Sequence, residues 1–175
     1  RHRAMDRYLW SPEKKRYEPY HLGKKERVNV NSADGLAPLF VGAASPIQAA
    51  EAVKSAKSIE RRGGLMASDL TKSHHQWDGT NGWAPYQVMA IVGYERYGFH
   101  DDAIRIARKW VGAVTNSYRR GHAMFERVDV VTLSKPVVDE LKYPTQEGFL
   151  WTNGSFVWAA LDVLGMKKVP IGAAL

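Results

Sequence analysis

The chain has 175 residues, enough for one folded domain with a buried core. Hydrophobic residues make up 45% of it and charged residues 25%, which excludes a chain too polar to fold. No apolar run approaches the ~20 residues that cross a bilayer, so we expect no membrane partner. The net charge of +7 comes from short, scattered basic runs, which favours a solvated surface over a nucleic-acid partner.

The chain contains no cysteine, which excludes disulfides and thiolate-ligated metals and leaves the cellular compartment open. Residues 1–10 lack the apolar core of a signal peptide. Residues 3–10 instead have the pattern of the back half of a helix with no capping residue before it. We therefore expect the chain to be part of a longer protein.

Helical patterns with intervening loops recur along the first half of the chain. Residues 33–44 predict a buried helix kinked by Pro38. Ser45 and Pro46 then begin a second helix, as the N-cap and the first helical residue. Its apolar stripe is predicted to consist of Ile47, Ala50, Val53, Ala56 and Ile59. The glycine pair at 63–64 is predicted to end this helix.

The second half predicts an apolar helix over residues 83–97, stopped by Gly98, and an amphipathic helix that begins at His100. Residues 124–131 predict a short strand or extended loop, and a last helix is expected from about 153 to 164. The tripeptide Thr-Asn-Gly precedes both apolar helices, which suits a series of helical hairpins. We expect an all-α fold with short extended segments, including one around residues 16–30.

Residues 76–85 read Gln-Trp-Asp-Gly-Thr-Asn-Gly-Trp-Ala-Pro and are the most distinctive segment. Two tryptophans in a polar, Gly-rich loop indicate a flat ligand. A sugar ring fits, because its C–H faces are apolar and its hydroxyl rim requires amide and carboxylate partners. The candidate sugar-binding residues are Gln76, Trp77, Asp78 and Asn81. In the alternative interpretation, Trp77 and Trp83 only cap the helix that follows.

Glu126 is the candidate catalytic carboxylate, because it lies between Phe125 and Arg127 in an apolar extended segment. Hydrolysis of a glycosidic bond normally uses two carboxyl groups, one an acid and the other a base or nucleophile. The alternative is an ordinary ion pair of Glu126 with Arg127 or Arg120.

Three segments resemble the trehalase family of glycoside hydrolases. Residues 76–85 are similar to the family's Gln-Trp-Asp-x-Pro-Asn-Gly-Trp-Ala-Pro, with Thr80 in place of proline. Residues 126–130 resemble Glu-Lys-Tyr-Asp-Val, with valine in place of tyrosine. Residues 143–154 resemble Glu-Tyr followed by Gln-(Glu or Asp)-Gly-Phe-Gly-Trp-Thr-Asn-Gly, and the match is strong from Gln146 onward, with Leu150 in place of the second glycine. The segments stand in the family's order, and the resemblance covers roughly residues 3–165.

The resemblance implies that residues 1–165 are the C-terminal part of an (α/α)6 toroid, a ring of helical hairpins around a central pocket, and that 166–175 are a tail. It implies an inverting enzyme without cofactor that splits α,α-trehalose into two glucose molecules, with Glu126 as general base. The family's general acid is an aspartate in an upstream region that this chain does not contain. The chain alone is therefore expected to be incomplete and inactive, with the upstream part of the same enzyme as its partner.

Lys142 departs from the family pattern, which has a glutamate there that helps to hold the leaving glucose. An ammonium group cannot accept hydrogen bonds from sugar hydroxyls. Three alternatives follow: Glu140 supplies the carboxylate, the second glucose is held differently, or an anionic aglycone faces Lys142. Glu147, in the third segment, is a further candidate for substrate binding. The functional alternatives are a related toroid hydrolase of another α-linked sugar and a non-catalytic sugar-binding remnant.

The adjacent pair His74-His75 is the remaining candidate for metal binding. Neighbouring side chains alternate direction in an extended chain and seldom share an ion, and no further ligands are spaced around the pair. We therefore expect no metal site.

Overall fold

The computed structural model describes residues 1–73, 75–136 and 143–167. The described chain is mostly helical, with four two-stranded antiparallel sheets. The α-helices are α1 (His2–Tyr8), α2 (Ala37–Phe40), α3 (Pro46–Ala56), α4 (Ala84–Arg96), α5 (His100–Gly121) and α6 (Leu150–Trp158). The strands are β1 (Trp10–Ser11), β2 (Arg16–Tyr17), β3 (Tyr20–His21), β4 (Glu26–Arg27), β5 (Glu60–Arg61), β6 (Gly64–Leu65), β7 (Asn81–Trp83) and β8 (Arg127–Asp129).

Helix α4 lies at the centre of the described chain and packs mainly against α2 and α5, and also against α6. It is apolar on most faces, as the sequence predicts, and ends before Gly98, whose φ of +80° suits glycine. Gly93 allows the close approach of α2, since a Cβ there would lie 3.0 Å from both Leu39 Cβ and the Phe40 nitrogen.

Helix α5 confirms the predicted amphipathic pattern. Its buried face includes every residue that the periodicity indicates: Ala103, Ile106, Ala107, Trp110, Val111 and Val114. Asp101 and Asp102 lie in its first turn and Arg119 and Arg120 in its last, the arrangement that the helix dipole favours. This face packs against α4 and against the short π-helical turn (Ala159–Val163) that follows α6.

Helix α3 begins as predicted, but its buried face differs from the predicted stripe. Ser45 and Gln48 form a reciprocal capping box at its start. Ile47 is 78% exposed, and the buried positions are Ala49, Ala52, Val53 and Ala56. A stripe spaced only by three residues drifts about 60° per step around a helix with 3.6 residues per turn, so it cannot remain on one face.

Three predicted boundaries were wrong. Residues 33–44 form a 3₁₀ turn (Ala33–Leu36) followed by α2, and Pro38 lies in the first turn of α2, where its missing N–H costs no hydrogen bond. The pair Gly63-Gly64 lies in the β5–β6 hairpin, because α3 already ends at Ala56. Helix α6 begins at Leu150, so the Thr-Asn-Gly tripeptide at 152–154 lies inside the helix and does not precede it. In the first Thr-Asn-Gly tripeptide, Asn81 and Gly82 belong to strand β7.

Two contacts fix the elements around the β7–β8 pair. The buried Gln87 of α4 donates from Nε2 to the Leu65 oxygen at 2.8 Å and accepts from the Leu65 nitrogen at 2.9 Å, which ties α4 to β6. Trp110 of α5 donates to Ser155 Oγ of α6 at 3.0 Å. Within the described ranges, no helix is both long and apolar enough to cross a membrane.

Candidate active site

The antiparallel pair of β7 and β8 brings the tryptophan-rich loop beside Glu126. In its register, Gly82 lies opposite Val128 and Trp83 lies opposite Arg127. The strands approach so closely at Gly82 that a Cβ there would lie 2.2 Å from Val130 Cγ1. Glycine at this position therefore permits the pairing that joins two segments about fifty residues apart.

The aromatic side chains of the loop form a cluster with α4 and α6. Trp77 stacks face to face on Trp83, with ring centroids 3.9 Å apart and an angle of 10° between the planes. Tyr86 and Trp151 meet the Trp77 ring edge-on, at centroid distances of 5.4 and 6.2 Å. Trp83 is 1% exposed and Trp77 is 39% exposed. One indole thus belongs to the core and the other presents aromatic surface to solvent.

Glu126 is almost completely buried, at 3% exposure. Its Oε1 accepts a hydrogen bond of 3.1 Å from the Tyr143 hydroxyl. Its Oε2 has no hydrogen-bond partner among the described residues. Its backbone oxygen accepts from Trp151 Nε1 at 2.9 Å and from Thr152 Oγ1 at 3.2 Å. Helix α6 therefore fixes the backbone of Glu126, while Oε2 is buried without a hydrogen-bond donor among the described residues.

Arg127 lies fully buried beside this carboxylate. Its Nη1 is 3.5 Å from Glu126 Oε2 and donates to Gln76 Oε1 at 3.1 Å. Its guanidinium carbon lies 5.3 Å from the centroid of Trp83, within the range of a cation–π interaction. Burial lowers the pKa of Arg127, and the charge of Glu126 acts in the opposite direction.

Tyr143 completes the environment of Glu126. Gln146 Nε2 donates to the Tyr143 hydroxyl at 2.7 Å, so the phenol oxygen accepts one hydrogen bond and donates another to Glu126. Desolvation and the bond to Glu126 raise the pKa of Tyr143, so the phenol remains a protonated donor.

The other candidates of the loop maintain its shape. Asp78 accepts hydrogen bonds from the hydroxyls of Ser68, at 2.8 Å, and Ser73, at 2.7 Å. Asn81 Nδ2 donates to the Asp78 backbone oxygen at 3.0 Å. Gln76 accepts from Trp83 Nε1 through its backbone oxygen and from Arg127 through its side chain, so it links the loop to the Glu126 site.

Glu147 lies apart from this network. It is exposed and forms a 3.2 Å ion pair with Lys135, whose ammonium group lies 5.0 Å from the centroid of the Phe125 ring. Its backbone pairs with Phe125 in an isolated β-bridge, which holds the segment before α6 against the residue that precedes Glu126. Lys142 and Glu140 lie outside the described residues.

The sequence did not single out Arg127 or Tyr143 as site residues. It considered Arg127 only as an ordinary ion-pair partner of Glu126; the pair is present, but both side chains are buried. Arg120, the other suggested partner, donates instead to the Thr132 backbone oxygen. The only available signals were the position of Arg127 directly after the carboxylate and that of Tyr143 at the start of the third segment.

The described residues include no group of three histidine, aspartate or glutamate side chains arranged to hold a metal ion. His75 is exposed, and His74 lies outside the described ranges. The site brings together a buried carboxylate, a neighbouring cation and a partly exposed indole. It provides one of the two carboxyl groups that hydrolysis of a glycosidic bond normally uses.

Comparison with known proteins gives the family. The trehalase family matches residues 1–165, and the chain belongs to this family. The chain is similar in structure to neutral trehalase Nth1 from Saccharomyces cerevisiae, with a TM-score of 0.77 and 28% identity over 93% of the chain. It is also similar to the GH63 mannosylglycerate hydrolase from Thermus thermophilus, with a TM-score of 0.66 and 25% identity over 90% of the chain. It spans 29% of the yeast protein and 36% of the bacterial one.

Proposed function

We propose that this chain supplies the general base and part of the sugar-binding surface of an inverting glycosidase that splits α,α-trehalose into two glucose molecules. The observation that carries the proposal is the buried Glu126, whose Oε2 has no hydrogen-bond donor among the described residues. A buried carboxylate oxygen without a donor is costly, and such atoms are expected where chemistry requires them.

In the proposed reaction, Glu126 Oε2 takes a proton from a water molecule as the water oxygen attacks the anomeric carbon. The glycosidic C–O bond breaks, and the leaving oxygen receives a proton from the general acid. Because water attacks from the face opposite the leaving sugar, the configuration inverts. Tyr143, bound to Oε1, fixes the carboxylate and leaves Oε2 for the water.

Trp77 is the proposed platform for a glucose ring. One face of its indole is covered by Trp83, while 39% of the residue remains exposed. Asp78 and Asn81 act by holding this loop in shape, and Gln76 connects it to Arg127. Lys142 and Glu147 remain proposed contacts at the second sugar.

The general acid and the rest of the pocket are proposed to come from an upstream part of the same enzyme. The chain covers about a third of each similar structure, which supports this view. Residues 1–165 would then form the C-terminal part of an (α/α)6 toroid that the upstream hairpins complete.

A second candidate function is hydrolysis of a sugar joined to an anionic aglycone. Lys142 occupies the position at which the family pattern has glutamate, and a cation there favours an anion over a neutral sugar. The similar bacterial structure is named a mannosylglycerate hydrolase, and glycerate is an anion.

The test is an assay of the full-length protein on trehalose and on a panel of neutral and anionic α-linked glycosides. We expect trehalose cleavage, and a decrease of about 10²–10⁴-fold in kcat for Glu126→Gln. The matched control is Glu26→Gln, a similar change at an exposed position of β4, which should retain full activity.

Preferential cleavage of the anionic glycosides would support the second function. Sugar binding without hydrolysis by the unmodified protein would indicate a non-catalytic remnant. If Glu126→Gln retains full activity, Glu126 is not the base.

A further inference from the structure

We propose that Arg127 is a positioning residue, which holds the Glu126 carboxylate in place and joins it to the loop that carries Trp77. The inference rests on the proposed function, because it assigns a role toward the same base. It is drawn from the contacts of one fully buried guanidinium group.

One nitrogen of Arg127 lies between the two halves of the site. Nη1 donates to Gln76 Oε1 at 3.1 Å and lies 3.5 Å from Glu126 Oε2. Gln76 directly precedes Trp77, and Arg127 also lies over Trp83, the ring on which Trp77 stacks. A further nitrogen of the guanidinium, Nη2, donates to the Tyr143 backbone oxygen at 3.4 Å. Among the described residues, Arg127 therefore contacts Glu126, Tyr143 and the residues that support Trp77.

The distance between Arg127 and Glu126 is suited to catalysis. At 3.5 Å, Nη1 is too far from Oε2 for a normal N–H···O hydrogen bond, which spans 2.7–3.2 Å. Arg127 thus places its positive charge beside Glu126 without occupying Oε2, the oxygen that takes the proton in the proposed reaction.

The remaining features of Arg127 differ from those of a purely structural arginine. Its Nε is buried and has no hydrogen-bond partner among the described residues. Burial lowers the pKa of Arg127, so the site keeps a cation in an unfavourable environment. A buried ion pair adds little stability compared with apolar residues of similar volume, so a contribution to stability does not by itself explain this pair.

Other ionisable groups of the described residues around the site have hydrogen-bond or ion-pair partners. Tyr143, from the segment before α6, donates to Oε1. Asp129 of β8 accepts from Thr80 and from two backbone nitrogens, and Asp78 accepts from two serines. Lys135 and Glu147 pair with each other beside Phe125. In the described ranges, Arg127 is therefore the cation that forms an ion pair with Glu126.

The test compares Arg127→Met and Arg127→Lys with the unmodified full-length protein, and uses Arg108→Met, at an exposed position of α5, as the matched control. In Arg127→Met, Glu126 loses its neighbouring cation and Gln76 loses its donor, so kcat should fall by clearly more than tenfold and KM for trehalose should rise. Arg127→Lys restores a cation beside Glu126 and should lower kcat only about tenfold, because an ammonium group cannot maintain the forked contacts.

A kcat in Arg127→Met that is no lower than in Arg127→Lys would overturn the proposal. Thermal unfolding provides a readout that does not need activity, with Glu126→Gln, Arg127→Met and the double variant. We expect Arg127→Met to lower Tm less in the Glu126→Gln variant than in the unmodified protein. If the two Tm shifts simply add, the two side chains are not coupled and the proposal is contradicted. If the unmodified protein cleaves no glycoside, the proposed function fails, and the Tm comparison still decides whether the two side chains are coupled.

Discussion

At the scale of single residues, the two tryptophans of the loop have different roles. Trp83 is buried, donates to the Gln76 backbone and supports both Trp77 and Arg127. Trp77 rests on Trp83 and exposes its other surface. Trp83 lies at the N-cap position of α4. Trp77 is partly exposed, and its role as a sugar platform stays a proposal.

Alanine substitutions should separate these roles. Trp83→Ala removes a fully buried ring and should lower the free energy of unfolding by about 3–5 kcal/mol. Trp77→Ala should cost only about 1 kcal/mol, the scale of one aromatic pair, but should raise KM for trehalose at least about tenfold. Denaturant unfolding and steady-state kinetics of the full-length protein measure both. Trp77→Phe, which keeps a ring, should recover part of the affinity. An unchanged KM in Trp77→Ala would contradict the platform role.

The sequence identified Glu126 and Trp77 as candidates because unusual residue types in an unusual context can be recognised without coordinates. It could not identify Arg127 and Tyr143, since their importance lies in distances across 16 to 51 positions of the chain. Asp78 stays a proposed sugar contact, and the sequence could not show that both of its carboxylate oxygens accept from serine hydroxyls of the loop. Hydrogen-bond partners of this kind depend on tertiary structure.

At the scale of elements, the pairing of β7 with β8 is the contact on which the site depends. It places Trp83 opposite Arg127 although the two segments are distant in sequence. Thr80 Oγ1 adds a 2.6 Å hydrogen bond to Asp129 at one end of the pair. The short strands supply few backbone hydrogen bonds, so the close approach at Gly82 is important for their stability.

Gly82→Ala should disrupt this pairing. The added methyl would lie 2.2 Å from Val130 Cγ1 and 3.1 Å from the Val128 oxygen, so we expect a loss of about 1–3 kcal/mol in the free energy of unfolding. Trehalose cleavage should fall as well, because Trp83 and Arg127 would separate. Both effects are measurable by denaturant unfolding and kinetics.

Two further variants test whether the steric clash at Gly82 causes these losses. Gly82→Ala combined with Val130→Ala removes the clashing methyl group and should recover part of the lost activity. Gly112→Ala in α5, where a Cβ meets no atom within 4 Å, should stabilise the helix by about 0.5–1 kcal/mol. If Gly82→Ala lowers neither the free energy of unfolding nor the activity, as expected for Gly112→Ala, the close approach at Gly82 does not stabilise the β7–β8 pair.

The longer helices could be predicted because their patterns extend over many residues, as in α4 and α5. Short elements were less predictable. The 3₁₀ turn before α2 and the hairpin at Gly63-Gly64 depend on packing against distant segments: Gly63 lies where a Cβ would meet the Val130 backbone at 2.9 Å. The sequence predicted the start of α6 at about residue 153, three residues later than Leu150, where the helix begins.

At the scale of the whole molecule, α4 and α6 leave an apolar groove of about 710 Å³. The groove is lined mainly by nonpolar side chains, including Phe40, Val88, Met89, Val92, Leu150 and Trp158. Leu150 is 82% exposed, and Val157 of the same helix is 51% exposed. Contiguous apolar surface of this kind is typical of an interface. Under the proposed function, upstream hairpins of the toroid cover it.

The 175 residues expressed alone should therefore self-associate. Sedimentation velocity over a hundredfold range of concentration should show mass increasing with concentration, and Leu150→Lys should reduce the association. The matched control is Leu22→Lys, since Leu22 is equally exposed, at 82%, but lies between β3 and β4. A monomer at all concentrations with a cooperative thermal transition would contradict this prediction.

The stacked indoles of Trp77 and Trp83 also give the protein an optical property. Their rings lie 3.9 Å apart and nearly parallel, so their electronic transitions are coupled. The near-ultraviolet circular dichroism should contain a contribution from this pair and from Trp151, whose ring centroid lies 6.2 Å from that of Trp77 and 5.6 Å from that of Trp83. Because Trp77 is the partly exposed member, a sugar resting on it would alter that signal, and occupancy of the pocket could be followed without any added label.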